Sequence, residues 1–81
     1  MNSELKLSWG FVRMTKLLEA ERRVVESNAL IERQRQLIER LKDEGHDIAS
    51  AQIVFDSMCV SLSLQVRERH KLRARLNAKA A

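Results

Sequence analysis

The sequence predicts an all-α fold, an antiparallel two-helix hairpin of coiled-coil-like character that assembles into a four-helix bundle. Three observations predict it. The 81 residues include no Pro, no Tyr and only two Gly, and 32% of them are charged, a composition that favours long helices over sheets and tight turns. Apolar residues recur at alternating steps of three and four along two long segments, which is the spacing of one helix face. Between the segments, Glu44-Gly45-His46-Asp47 reads as a helix stop followed by a restart.

In the first segment the face is made by Leu17, Ala20, Val24, Ser27, Ile31, Gln34, Ile38 and Leu41. Thr15 is placed to cap its start, with Gly10 or Ser8 as earlier alternatives. The pairs Glu19/Arg23, Arg22/Glu26, Arg35/Glu39 and Arg40/Glu44 add support at i,i+4 spacing. Helix one is therefore expected over about 15–43. Gly45 then supplies the left-handed residue that ends many helices, and Asp47 can accept a hydrogen bond from the first turn of the next. Helix two, about 48–78, repeats the face with Ile48, Ala51, Phe55, Met58 and Leu62, is interrupted by Gln65 and Arg69, and resumes at Leu72 and Leu76. With the turn at 44–47, residue i of the first helix stands roughly level with residue 91 − i of the second, so Ile38 is expected near Ile53, Ile31 near Val60, and Leu17 near Arg73 to Leu76. The shared face is rich in small and polar residues, and a domain of this size has little core to spare. Oligomerisation is expected to supply the rest.

Both helices are apolar over more than one stripe. On helix two, Ile53, Val60 and Leu64, interspersed with Ser50, Ser57 and Ser61, fall opposite Phe55, Met58 and Leu62 at 100° per residue. On helix one, Leu30 and Leu37 flank the seam on one side, and Leu18 and Val25 on the other. One neighbour cannot cover all of this, so Ile53, Ser57, Val60 and Leu64 are the candidate self-association face, in a homo-oligomer or as a subunit of a larger complex. Ahead of helix one, residues 1–14 read as a separate arm. Its Leu5, Leu7, Trp9 and Phe11 alternate with Lys6, Ser8 and Gly10 at a period of two that does not continue the seam, and the register leaves the arm beyond the end of helix two. Uncovered Trp and Phe are typical interface anchors, which makes these four residues a candidate partner-binding element.

The net charge is +4, but it is unevenly placed. Residues 67–79 hold six basic side chains against Glu68, whereas residues 1–66 hold nine basic and ten acidic ones. Arg67, Lys71, Arg75 and Lys79 form an i,i+4 row that could follow the phosphates of a nucleic acid; the row is almost without base-reading residues, and basic groups at a helix C-terminus are also favoured by its dipole. Nucleic-acid binding is thus an alternative function, and contact of Trp9, Phe11 and Val12 with an anionic membrane, beside Lys6, Arg13 and Lys16, a further one. Ile48 to Val66 carries one charge, Asp56, at its middle, which at a bilayer centre costs roughly 2.5–3.5 kcal/mol; Gln52, Gln65 and four serines dilute the stretch further. The N-terminus lacks the basic start and apolar run of a secretory signal, and the single cysteine, Cys59, suits a reducing compartment. A cytoplasmic protein is expected.

Catalytic chemistry is thinly represented. His46 and His70 are separated by roughly 36 Å at 1.5 Å per residue of helix, too far for one site. His46 beside Asp47 reads as a turn residue, and Cys59 beside Met58 as a small buried hydrophobe, with no cationic helix start to activate it. No glycine-rich phosphate loop, CxxC or HExxH is present. The expectation is a non-enzymatic interaction or structural module with no catalytic residues, no cofactor and no metal.

Several runs carry a resemblance that spans most of the chain: Glu21-Arg22-Arg23-Val24, Gln34 through Leu41, the Gly45-His46-Asp47 turn, and Arg69-His70-Lys71-Leu72. They look like a family of short bacterial hypothetical proteins that are mostly predicted helical hairpins of unknown function. Residues 1–14 and the serine-rich centre of helix two depart from that pattern. The resemblance implies the hairpin and no activity.

Overall fold

The computed structural model describes residues 2–80, with side chains over residues 9–78. Helix α1 spans Asn2–Asp43 and helix α2 spans Ala49–Ala80, and the two pack against each other as an antiparallel hairpin with principal extents of 64 × 19 × 15 Å. No strand is present among the described residues.

The turn forms as its residue types require. Gly45 adopts φ +75°, the left-handed conformation that costs a residue with a Cβ roughly 1–2 kcal/mol. The His46 N–H donates to the Leu41 carbonyl at 2.8 Å and the Gly45 N–H to the Lys42 carbonyl at 3.0 Å. This pair of bonds is the Schellman arrangement, and it satisfies two of the carbonyls a helix C-terminus leaves open. Two residues on, Asp47 Oδ1 accepts the Ala49 N–H at 2.9 Å, capping the restart.

Every seam position read from the periodicity is at least partly covered. Ala20, Val24 and Ile38 are buried; Leu17, Ser27, Ile31, Gln34 and Leu41 are half-buried on α1, as are Ile48, Ala51, Phe55, Met58, Leu62, Gln65, Arg69, Leu72 and Leu76 on α2. Polar bonds cross the seam at three levels. Gln34 Nε2 donates to the Ala51 carbonyl at 3.0 Å, Ser27 Oγ to Gln65 Oε1 at 2.6 Å, and Arg73 Nη2 to Glu21 Oε1 at 2.9 Å. Ser27 with Gln65 and Glu21 with Arg73 fall within about three residues of the expected register, whereas Gln34 reaches a carbonyl about six residues nearer the turn than the residue expected level with it, and what stands at a level does not always face across. Ile53 is 66% and Val60 63% exposed, so neither packs on Ile38 or Ile31; both lie on the outer side of α2.

Two further expectations are corrected. Helix one does not begin near Thr15: α1 runs unbroken from Asn2, and Thr15 is a half-buried interior residue. Nothing upstream stops the helix, since there is no Pro and a single interior glycine, Gly10, costs only about 1 kcal/mol against alanine. Residues 2–14 are accordingly an extension of the helix, not an arm of different periodicity. Of the i,i+4 pairs expected on α1, the one that closes among the described residues is Arg35 with Glu39, at 3.6 Å. Arg35 also forks onto Glu32, with Nε to Oε2 at 3.1 Å, and that hydrogen bond holds the Glu32 carboxyl below its ordinary value.

Two substitutions test this account by chemical denaturation. Gly45→Ala is expected to cost roughly 1–2 kcal/mol, because the left-handed residue gains a Cβ. Arg69 sits in the seam with its Nε buried and without a hydrogen-bond partner, a loss of about 1–3 kcal/mol where a polar group is desolvated and unpaired. Arg69→Met is therefore expected to raise the denaturation midpoint; a fall would show that the guanidinium has a partner the hairpin does not supply.

Candidate protein-interaction site

A two-helix hairpin has one seam, and the side chains left outside it define its surface. Ile53, Val60 and Leu64, the last 58% exposed, stand out from α2 together with exposed Ser57. Ile53, Asp56, Ser57 and Val60 line a shallow depression of about 390 Å³. Gln52 Nε2 donates to Asp56 Oδ1 at 3.1 Å, so the one charge in this stretch is held along its own helix. The four residues expected to carry self-association thus form one uncovered stripe.

The aromatic arm is divided by its helical conformation. At 100° per residue, Trp9 and Phe11 point about 160° apart, and both are exposed, at 62% and 73%. Phe11 shares its side of α1 with exposed Met14, Leu18 and Val25. Trp9 and Val12 instead line a groove of about 430 Å³ at the open end of the hairpin, against Leu72 and Leu76 of α2. Leu5 and Leu7 lie outside the residues whose side chains are described.

The basic row does not stand alone either. Arg67, Lys71 and Arg75 are exposed, while Lys79 falls outside the described side chains. Arg75 lines the same groove as Trp9, together with Arg13, Lys16 and Arg23, and two acids, Glu19 and Glu68, stand among these cations. Two candidate sites separated by more than sixty residues are therefore neighbours, and the groove has an apolar floor and a net positive rim.

Reading one helix at a time set Lys16 beside Trp9 but missed Arg23, Leu72 and Leu76 as members of this site. A signal for them exists. Trp9, Lys16, Arg23, Leu30 and Leu37 recur at steps of seven on α1, as Val54, Ser61, Glu68 and Arg75 do on α2, and residues so spaced keep to one side of a paired helix. Both lines are free of charge near the turn and become charged toward the open end.

No group of three or more His, Cys, Asp or Glu side chains is placed to hold a metal ion among the described residues. His46 Nε2 lies 3.4 Å from Glu44 Oε2 within the turn, while the Asp47 carboxylate beside it is engaged as a cap. Cys59 is a half-buried free thiol, and its carbonyl accepts a bond from Ser63 Oγ at 3.1 Å. Helix α2 is long and apolar enough, by length and composition alone, to cross a membrane, with a mean hydropathy of 1.2 over its most apolar window and none of that window buried. No family model matches the chain, and no curated protein or solved structure is similar to it.

Proposed function

We propose that the chain is a non-enzymatic interaction module that associates with itself, most simply as a symmetric dimer forming a four-helix bundle. The observation that carries this reading is the imbalance between what the hairpin covers and what it leaves out. Ala20, Val24 and Ile38 are its buried core, while large apolar side chains on both helices remain exposed. Burial contributes about 25 cal/mol per Å² of apolar surface, and a hairpin that hides so little gains much by covering a second stripe. The apolar length of α2 is what a helix at the centre of a bundle requires, and the exposed Ser50, Ser57, Ser61 and Ser63, with Gln52, Gln65 and Asp56, sit more easily there than in lipid. Isolated apolar residues are ordinary on protein surfaces; a stripe repeating at helical spacing over Ile53, Val60 and Leu64 is not isolated.

Analytical ultracentrifugation at micromolar concentration tests this. The wild-type chain is expected to sediment as a dimer or larger species, and Val60→Glu with Leu64→Glu to give monomers or unfolded chain. A stably folded wild-type monomer would sink the proposal.

A further inference from the structure

The hairpin is electrically bipolar. Its open half, residues 2–26 and 67–80, holds eleven basic and five acidic residues, a net +6; its turn half, residues 27–66, holds four basic and six acidic, a net −2. The separation is sharpest at the two ends. At the turn, exposed Asp43, Glu44 and Asp47 outnumber Lys42, whereas the groove at the open end is rimmed by Arg13, Lys16, Arg23 and Arg75 against two acids.

One broad face connects these ends. Arg23 and Glu68 line the open-end groove and also a second hollow of about 230 Å³ nearer the middle, which they share with Leu64. The step-of-seven lines continue along the same side toward the turn, where Leu30, Leu37 and Val54 are apolar. Thus one face carries a basic-rimmed apolar groove in one half and an apolar surface leading to an acidic turn in the other.

We propose that this face takes a second copy of the chain in antiparallel orientation, each acidic turn lying against the basic groove at its partner's open end. This rests on the self-association reading and assigns its geometry, with Leu64 the member of the α2 stripe that this face shares. A two-fold axis across the middle of the 64 Å rod makes the same contact twice, brings the two Leu64 side chains together near the axis, and lays Leu30 and Leu37 of each copy toward the Trp9 and Val12 of the other. The parallel alternative sets +6 beside +6 at a helix spacing of about 8–10 Å, within the roughly 10 Å over which charges still interact at 0.1 M salt. Like charges so juxtaposed disfavour the wrong arrangement, and opposite ones favour the right one.

Charge exchange between the ends tests the orientation. The turn variant is Asp43→Lys with Glu44→Lys; the groove variant is Lys16→Glu with Arg75→Glu; a third chain carries all four changes. All four residues are exposed, and circular dichroism verifies that each chain is helical. Sedimentation at low salt reads association, and acrylamide quenching of Trp9, the only tryptophan, reads whether the groove is covered. Each two-residue variant is expected to weaken association at least about tenfold and to unshield Trp9, and the four-residue chain to regain both, since its ends again attract. Restoration is specific to the antiparallel pair, because in a parallel pair the fourfold change leaves like facing like. A wild-type dimer indifferent to these changes, or a fourfold chain that stays dissociated, overturns the orientation and leaves self-association standing. Loss of association in the groove variant alone also overturns it, because the acidic turn then makes no contact with the groove. A wild-type monomer overturns both readings.

Discussion

Two helices share a single line of contact, and nearly everything else about this molecule follows from that. A sheet or a three-helix array gives each element two neighbours; a hairpin gives each helix one. Whatever apolar surface lies more than about a quarter-turn from the seam stays in water in the lone hairpin. Here that surface includes Leu18, Val25 and Leu30 on α1 and Ile53, Val60 and Leu64 on α2.

The seam itself trades burial for definition. Ser27 with Gln65, Gln34 with the Ala51 carbonyl, and Glu21 with Arg73 fix which level of α1 meets which level of α2. An unbroken row of leucines would hide more area but would tolerate sliding by a turn, because each level would then resemble the next. Polar pairs in a helical interface penalise the wrong register through unsatisfied groups. The exposed Glu21–Arg73 pair adds little energy on its own account, since surface ion pairs contribute about 0–1 kcal/mol.

How much could be read beforehand depended on whether the controlling physics was local. The turn was legible, because Gly45 and Asp47 act through their own backbone neighbourhood, and both seams were legible, because 3.6-residue periodicity is written in the chain. The start of α1 was not. Alternation over Leu5, Leu7, Trp9 and Phe11 resembles a strand, but with no breaker between it and a strong helix, propagation costs less than stopping. Most of the groove was also hidden, since Trp9 and Arg75 become neighbours only when the chain doubles back.

The short turn also orders the hairpin in time. Gln34 and Ala51 are separated by 17 positions in the chain, Ser27 and Gln65 by 38, and Glu21 and Arg73 by 52. Closing the widest of these loops from an open chain costs about 1 kcal/mol more than closing the narrowest, so zippering starts beside Gly45 and travels outward. The groove between Trp9 and Leu76 is then the last part of each helix pair to close and the first to fray, with its amides exchanging fastest with solvent. A surface that sits on the fraying end of a zipper is complete only while the zipper is closed, so anything bound there would hold the whole hairpin shut.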